Sequence, residues 1–414
     1  MDKNIIKLAV IEQRKIFEKK MSIIKRDIPS NFLKTRKISV ISGIRRSGKS
    51  TLLKEIAQTF ESYHYLNFED ERFLDFTFRD FNKLYEVFLE LHGEQRAFLF
   101  DEIQNIFGWE KFARRLFEDG KKLFITGSNA KILSSELATT LSGRHLKLEL
   151  FPFSFAEFLT YHNLAAKNTL DTKEKITILK QFNEYLRLGG FPEIVISENI
   201  EELKQLYQDI LIKDLLVRFG IRETKSFRET ALFLLSNISS PISFHKVRDV
   251  LGVKSVTTVK NYIDFMEEAY LFFAIPKFDY SVKKQIVNDR KVYAIDTGVV
   301  NAVSFKFSGN AGKILENAVF LELKRRKKEV YYHRGKRECD FVVREYGKIE
   351  EAIQVAQTIA PAETKKRELA GLREAMETYK LEKGLILTHE EESAMKENGK
   401  TITVMPIWKW MLEK

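Results

Sequence analysis

The amino-acid sequence predicts an α/β fold in which a parallel sheet is flanked by helices. Segments of β type and helical segments alternate through the first 150 residues. A glycine-rich loop at residues 43–50 joins an apolar β-type run to a helical run. Further along, the four apolar residues 97–100 suit a strand that is buried on both faces, and the carboxylates Asp101 and Glu102 follow them directly. Such a sheet carries its polar site at the carboxyl ends of its strands.

The alternation sets the individual elements. We place strands at residues 38–42, 63–68, 97–101, 123–126 and 145–150, and helices near residues 49–60, 80–92, 109–119 and 129–140. Between about residues 165 and 236 the sequence is helical throughout, with one break at the run Gly189, Gly190, Phe191, Pro192. This stretch predicts a small helical lid behind the sheet.

The glycine-rich loop matches the complete G-x-x-x-x-G-K-[ST] pattern of phosphate-binding loops, in the strand–loop–helix setting that the pattern requires. Its residues, with the first residue of the helical run that follows, are Gly43, Ile44, Arg45, Arg46, Ser47, Gly48, Lys49, Ser50 and Thr51. The glycines let the backbone N–H groups surround an oxyanion, and the helix adds its positive N-terminal end. We expect Lys49 to contact the β- and γ-phosphates of a nucleoside triphosphate and Ser50 to bind Mg²⁺.

Asp101 and Glu102 form the second part of the predicted site. They end a strand 52 residues after Lys49, with another β-type segment between, so they are expected beside the phosphate loop. We predict that Asp101 holds Mg²⁺, largely through water. Glu102 is predicted to polarise the water that attacks the γ-phosphate.

Polar residues after the next two strands complete the set of candidates. Ser128 and Asn129 follow the strand at 123–126, where they either sense the γ-phosphate and orient the water or cap the next helix. Arg144 precedes the fifth strand. It is either an arginine finger on bound nucleotide, in cis or across a subunit boundary of a homo-oligomer, or one half of a surface ion pair.

Composition limits the remaining classes. The chain carries a net charge of +11, which favours a polyanionic partner. No apolar run approaches the roughly 20 residues that a membrane helix needs, and the N-terminus has no signal-peptide pattern. Cys339 is the single cysteine, which excludes an intrachain disulfide. We therefore expect a cytoplasmic protein with no membrane contact.

Together, these elements resemble the archaeal- and bacterial-type ATPases of the AAA+ superfamily that carry a C-terminal domain of unknown function. The resemblance rests on the blocks GIRRSGKSTLL (43–53), LNFEDERF (66–73), FLFDEIQNIFGWE (98–110), ITGSNAKIL (125–133), LSGRHLKLELFPFSFAEF (141–158) and GGFPE (189–193). It implies a P-loop NTPase core sheet with the phosphate-loop strand in the centre, Mg²⁺ as cofactor and hydrolysis of ATP.

The segment 243–266 has the pattern of a winged helix-turn-helix. Ser243 is placed to cap a first helix, Gly252 provides the turn, and Ser255 caps a second helix in the recognition position. The outward residues of the second helix are Thr257, Lys260 and Asn261. Two roles remain open for this module: contact with DNA, or packing and protein contact, since Asp264, Glu267 and Glu268 on the same helix oppose phosphate.

The last hundred residues resemble the C-terminal domain of the same ATPases, which is similar to the PD-(D/E)xK nuclease fold. The active pattern needs a helix Glu, a strand Asp, and an acid and a lysine on the next strand. Glu316 and Asp340 match the first two positions, whereas Gln354 and Ala356 replace the acid and the lysine. We therefore expect a degenerate nuclease-like domain that does not cut nucleic acid.

A basic run ends the helix that carries Glu316. It consists of Lys324, Arg325, Arg326, Lys327 and Lys328. These cations either complement the negative end of the helix dipole or contact a phosphate backbone such as DNA.

The sequence thus predicts an ATPase core at 1–164, a helical lid at 165–236, a winged helix-turn-helix module at 237–300 and a degenerate nuclease-like domain at 301–414. The function expected from these parts is ATP-driven action on, or sensing of, DNA or a DNA-bound complex. The alternative is an ATP-dependent switch whose C-terminal half binds proteins and no nucleic acid.

Overall fold

The computed structural model of the protein describes residues 1–20, 23–128, 141–164, 171–304, 311–397 and 399–413. The chain forms two compact units, Met1–Phe151 and Pro152–Lys414. The predicted ranges 165–236, 237–300 and 301–414 all fall within the second unit. Residues 152–164, which the sequence assigned to the first domain, group with the second unit as well.

The first unit is built on the predicted parallel sheet, which has five strands in the order β2-β3-β4-β1-β5. The strands are β1 (Ile38–Ser42), β2 (Tyr63–Asn67), β3 (Ala97–Asp101), β4 (Lys122–Gly127) and β5 (His145–Glu149). Each lies within two residues of its predicted bounds. The strand before the phosphate loop, β1, is hydrogen-bonded between β4 and β5, as the resemblance implied.

Helices cover both faces of this sheet. They are α1 (Lys3–Phe17), α2 (Ser30–Lys34), α3 (Lys49–Ala57), α4 (Phe81–His92) and α5 (Trp109–Glu118). The predicted helices at 49–60, 80–92 and 109–119 are confirmed, the first of them ending three residues early at Ala57. The predicted helix at 129–140 lies outside the described residues, and α1 was not predicted.

Alternation along the strands separates two apolar layers. Val40 and Phe100 point to the face covered by α1, α4 and α5, where Trp109 is fully buried. Ile41 and Leu99 point to the opposite face, which α3 covers. Because both faces are buried, β1 and β3 are apolar along nearly their whole length, and their polar residues lie at their carboxyl ends.

The second unit begins with helices, as predicted for residues 165–236. They are α6 (Phe155–Tyr161), α7 (Thr172–Leu188), α8 (Pro192–Ser197), α9 (Ile200–Asp209), a π-helical stretch (Ile210–Val217) that continues α9, and α10 (Thr224–Ser236). The glycine break fits closely around Asp296, whose carboxylate accepts a hydrogen bond from the N–H of Gly190 at 2.7 Å.

Next in the chain is a small three-stranded sheet in the order β6-β8-β7, with two helices inserted. The elements are β6 (Pro241–Ile242), α11 (Phe244–Leu251), α12 (Val256–Glu268), β7 (Phe272–Pro276), α13 (Val282–Val287), β8 (Arg290–Ala294) and α14 (Thr297–Val303). Gly252 makes the turn in a left-handed conformation (φ 62°), and Ser255 caps α12 by accepting from the N–H of Thr258. Both predicted helices are therefore present.

The last part of the second unit is a mixed six-stranded sheet in the order β13-β14-β12-β11-β10-β9. Its elements are α15 (Ala311–Arg325), β9 (Glu329–Arg334), β10 (Glu338–Glu345), β11 (Lys348–Val355), α16 (Ala362–Thr378), β12 (Lys383–Thr388), β13 (Ser393–Glu397), β14 (Lys400–Pro406) and α17 (Ile407–Leu412). One helix, three antiparallel strands, a second helix and a parallel strand thus follow one another from α15 to β12.

Among the described residues, no helix combines the length and the apolar character that crossing a bilayer requires.

Two helical glycines of the second unit give a matched test of close packing. A Cβ on Gly371 of α16 would lie 2.0 Å from the carbonyl oxygen of Glu338 in β10, whereas a Cβ on Gly312 of α15 would have no neighbour within 4 Å. We expect Gly371→Ala to destabilise the protein by about 1–3 kcal/mol, because backbone cannot move aside. Gly312→Ala should be neutral or stabilising by up to about 1 kcal/mol. Chemical denaturation of both variants measures the difference, and equal effects would contradict the packing.

Candidate functional site

The phosphate loop is held in shape by its glycines. Gly48 has a left-handed conformation (φ 95°), which costs a glycine nothing and begins α3. Gly43 lies so close to the neighbouring backbone that a Cβ would be 2.2 Å from the carbonyl oxygen of Leu150. Arg46 also has positive φ (62°). The loop therefore wraps the N-terminus of α3 in a conformation that two glycines make possible.

Lys49 is buried at the centre of the loop. Its ammonium donates to the carbonyl oxygens of Gly43 and Ile44, each at 3.2 Å. It also lies 3.3 Å from Oε1 of Glu102. The structure thus brings together the two predicted parts of the site, the loop lysine and the carboxylate after β3, in direct contact.

Parallel pairing of β3 with β4 organises the acidic side of the site. The register Phe100↔Ile125 places Asp101 next to Thr126. The hydroxyl of Thr126 donates to Oδ1 of Asp101 and accepts from the backbone N–H of Glu102 at 3.0 Å. One threonine therefore fixes both carboxylate residues.

Glu102 adopts a left-handed backbone conformation (φ 50°), which costs a residue with a side chain about 1–3 kcal/mol. The bend turns its carboxylate back toward the loop. Besides facing Lys49, Oε2 accepts from the side-chain amide of Gln104 at 2.6 Å and from the backbone N–H of Ser128 at 3.2 Å. Strained backbone of this kind is concentrated at functional sites, where the surrounding contacts hold it.

The two neighbouring carboxylates differ in proton affinity. Burial, together with the charge of Glu102, raises the pKa of Asp101 to about 6. Burial also acts to raise the pKa of Glu102, but the charge of Lys49 and the hydrogen bonds from Gln104 and Ser128 outweigh it, so this pKa lies below its usual value. At neutral pH Glu102 is thus an ionised carboxylate able to accept a proton.

The residues present suit Mg²⁺. Oδ2 of Asp101 is buried and has no hydrogen-bond partner among the described residues. The Ser50 hydroxyl is close enough to lower the pKa of the same carboxyl group. Hydroxyl, carboxylate and water oxygens are the ligands that Mg²⁺ prefers. Ser50 and, through water, Asp101 are therefore the groups that would hold the ion, as the sequence predicted.

Three residues of this site were not predicted. Thr126 and Gln104 were missed because their roles depend on strand register and on the bend at Glu102. Arg26 is buried and donates to the carbonyl oxygen of Ser47 at 3.0 Å and to that of Phe151 at 2.7 Å, which braces the phosphate loop from behind. A lone arginine ahead of β1 carries no sequence signal for this role.

A cavity of about 420 Å³ adjoins the phosphate loop within the first unit. Ser50, Thr51 and Lys54 of α3 form one wall, and Asn67 and Glu69 at the end of β2 contribute to another. The cavity opens at the carboxyl edge of the sheet, beside the proposed metal ligand Ser50, which is where ligands of parallel sheets bind.

Arg144 is not brought to this edge. Its carbonyl oxygen accepts from the N–H of Ile38, the first residue of β1, whereas the phosphate loop follows the last residue, Ser42. Four strand residues of about 3.3 Å each separate the two ends by roughly 13 Å. An arginine side chain does not span that distance around the strand, so Arg144 does not contact the loop of its own chain in this structure.

Ser128 lies at the site through its backbone N–H, which binds Glu102. The other half of the predicted pair, Asn129, lies outside the described residues.

The predicted residues of the C-terminal domain also come together. Glu316 on α15, Asp340 on β10 and Gln354 on β11 are buried, and the N–H of Asp340 donates to the side-chain oxygen of Gln354 at 3.3 Å. Ala356 packs in the apolar core. A lysine from outside the predicted motif, Lys291 on β8, lies 3.0 Å from both Glu316 and Asp340.

The basic run at the end of α15 is mostly engaged within the chain. Arg326 pairs with Glu322 at 2.9 Å, and Lys328 lies 2.8 Å from Glu351. Arg325 donates to the carbonyl oxygens of Pro152 and Phe153, both at 3.2 Å. These contacts match the structural role that the sequence left open for the run.

Comparison with known sequences gives three consecutive matches. Residues 35–159 match a family described as an AAA domain, and residues 179–310 and 311–410 match two domains of unknown function, DUF8612 and DUF4143. The uncharacterized protein MJ1544 of Methanocaldococcus jannaschii is 36% identical over 435 residues, which cover 100% of this chain and 96% of that protein. An uncharacterized protein of Haemophilus influenzae is 33% identical over 337 residues, or 77% of this chain and 82% of that protein.

Among solved structures, the replication initiator DnaA bound to AMPPCP and single-stranded DNA is similar over 59% of this chain and 90% of that chain. The sequence identity is 14% and the TM-score is 0.26.

Proposed function

The chain belongs to the family of AAA-domain proteins that includes MJ1544 of Methanocaldococcus jannaschii, and from this premise we propose that it binds ATP with Mg²⁺ at its phosphate loop and hydrolyses the γ-phosphate. The observation that carries the proposal is the contact between Lys49 and Glu102 at 3.3 Å. It joins a phosphate-binding cation to an ionised carboxylate at one point, beside a buried acid with an unused oxygen.

The chemistry follows from these contacts. Phosphate oxygens are stronger acceptors for the Lys49 ammonium than the neutral carbonyls of Gly43 and Ile44, so bound ATP would take over the cation. Glu102 would then lose its counter-charge and be free to accept a proton from the attacking water. Mg²⁺ supplies neutralisation of the charge on the β- and γ-phosphates. Thr126 and Gln104 keep Glu102 in place through this exchange.

Separating binding from hydrolysis tests this assignment. Lys49→Ala should abolish tight ATP binding, because neutral backbone groups cannot replace a desolvated cation. Glu102→Gln should retain binding and lower the hydrolysis rate by about 10²–10⁴-fold, since only the proton acceptor is lost. Fluorescent-nucleotide titration and phosphate release measure the two quantities. Glu86→Gln, on the exposed surface of α4, is the control, and a Glu102→Gln variant with the parental rate would refute the proposed role.

Arg144 is proposed to act on ATP bound by a neighbouring copy of the chain. Its position at the opposite edge of the sheet from its own phosphate loop supports action in trans, and an arginine finger contributes about 10³–10⁵-fold to hydrolysis. The protein would then be a homo-oligomer with the nucleotide between subunits.

Mixing inactive variants tests action in trans. Arg144→Ala and Glu102→Gln should each be inactive alone, whereas their mixture should regain activity, because a Glu102→Gln subunit still supplies Arg144 to an intact neighbouring site. The matched control is a mixture of Glu102→Gln with Lys49→Ala, in which no subunit has a complete loop and acid, and which should stay inactive. An Arg144→Ala variant with unchanged kcat would return this arginine to a surface role.

The second unit is proposed to bind DNA. The order α10, β6, α11, α12, β7, β8 with a small antiparallel sheet supports a winged helix-turn-helix, with α12 in the recognition position. Thr257, Lys260 and Asn261 are exposed on α12, and Lys283 and Lys284 are exposed between β7 and β8. These positions rather than the engaged run after Glu322 carry the proposal.

One observation favours the alternative, a protein partner. Four apolar side chains around the same two lysines are exposed, namely Tyr280, Val282, Ile286 and Val287. Clustered apolar exposure is typical of protein interfaces. The surface is therefore the place where the two functions separate experimentally.

DNA binding measured against salt separates them. If the module binds DNA, the affinity for duplex DNA should fall by about 0.9 log unit per phosphate contact for each tenfold rise in salt. The double variant Lys283→Ala, Lys284→Ala should then weaken binding and reduce that slope, whereas Lys173→Ala, an exposed lysine of α7, should do neither. Fluorescence anisotropy with and without ATP provides the measurement. The absence of salt-sensitive binding would favour the protein partner.

A further inference from the structure

A buried lysine in the second unit is surrounded by carboxylates. The ammonium of Lys291, on β8, lies 3.0 Å from Oε1 of Glu316, 2.8 Å from Oε1 of Glu338 and 3.0 Å from Oδ1 of Asp340. Only 1% of the Lys291 side chain is exposed. The three acids come from α15 and β10, so elements that are far apart in the sequence converge on one cation.

This ammonium has no capacity left for another ligand. A lysine has three N–H donors, and three carboxylates receive them. The hydroxyl of Tyr293 donates to Oε1 of Glu316 at 2.7 Å, and the N–H of Val355 donates to Oδ2 of Asp340 at 2.9 Å. Lys291 is therefore in no position to bind a phosphate or to activate a water, which are the tasks of a catalytic lysine.

The charges around Lys291 do not balance. Three carboxylates share one positive charge, and burial together with Asp340 raises the pKa of Glu316 to about 8. The cluster thus resembles the surroundings of a doubly charged ion more closely than those of an ammonium, since buried acids are normally matched by counter-charge.

We propose that the Lys291 ammonium is a built-in substitute for a divalent cation, and that Glu316, Glu338 and Asp340 become a Ca²⁺ site when this one side chain is removed. The intact protein then takes up no metal at this cluster, because the cation already fills it. The proposal is independent of ATP binding, since every residue involved lies in the second unit.

The size of the cluster favours Ca²⁺ over Mg²⁺. The acceptor oxygens lie 2.8–3.0 Å from the nitrogen. Ca²⁺ binds oxygens at about 2.3–2.6 Å in flexible geometries, whereas Mg²⁺ demands about 2.0–2.1 Å and a regular octahedron. In the described part of the chain no group of three or more acidic, histidine or cysteine side chains is arranged to hold a metal. With the lysine in place, its carboxylates are thus held too far apart for an ion.

Removing the cation tests the proposal in the full-length protein without nucleotide. Lys291→Met keeps the length of the side chain and deletes its charge. We expect Ca²⁺ to raise the melting temperature of this variant in a concentration-dependent way and to leave the wild type unchanged. Tb³⁺, which replaces Ca²⁺ and gains luminescence from a nearby tyrosine, should report the site through Tyr293. Adding Asp340→Asn to Lys291→Met should abolish both responses, and adding Tyr293→Phe should abolish only the luminescence.

Two results would overturn the proposal. One is a Lys291→Met variant that responds to Ca²⁺ no more than the wild type, which shares every other acidic residue and so reports any binding elsewhere. The other is Tyr293-dependent Tb³⁺ luminescence in the wild type, which would mean that the lysine does not close the site. If Lys291→Met fails to fold, the double variant Lys291→Met, Glu338→Gln decides. It leaves less uncompensated charge and should still gain a weaker Ca²⁺ response, whose absence counts against the proposal.

Discussion

A buried ammonium group needs a full set of acceptors, because its desolvation costs several kcal/mol that only close, well-placed oxygens offset. Two lysines of this protein meet that constraint in different ways. Lys49 has two neutral carbonyls at 3.2 Å and one carboxylate at 3.3 Å. Lys291 has three carboxylates at 2.8–3.0 Å. The acceptors of the first lysine can be displaced by a phosphate, and those of the second cannot.

The rest of the first unit serves the weaker arrangement. Gly43 and Gly48 let the loop carbonyls turn toward the ammonium, and the strained bend at Glu102 brings the single counter-charge to it. Thr126 holds that bend through the register of β3 and β4. A looser set of acceptors keeps Lys49 charged and buried before ATP arrives, and it releases both the cation and Glu102 when a better acceptor binds.

The parts that were predictable from the sequence are those set by short-range patterns. The phosphate loop is contiguous, and the acids after β3 follow from one apolar run, so Lys49, Asp101 and Glu102 were placed correctly beside one another. Thr126 depends on the register of β3 and β4, which no local pattern encodes. Arg144 was placed before the right strand, but which edge of the sheet it reaches depends on its pairing with Ile38.

Lys291 was missed for a related reason. The resemblance directed attention to position 356, where the nuclease pattern has its lysine and this chain has a buried alanine. The structure instead supplies a lysine from β8, 65 residues earlier, on an element that belongs to a different sheet. Sequence spacing within one motif cannot reveal a charge that arrives from another module.

The two departures from the nuclease pattern fit one another electrostatically. Gln354 donates to Glu368 at 2.7 Å and accepts from the N–H of Asp340, so both ends of its amide are used. An acid at this position would add a negative charge between Glu368 and Asp340, and Lys291 has no donor left to compensate it. A neutral amide avoids that repulsion. The absence of the acid and the presence of the foreign lysine are thus two parts of a single arrangement, in which charge balance without a metal replaces the chemistry of a metal site.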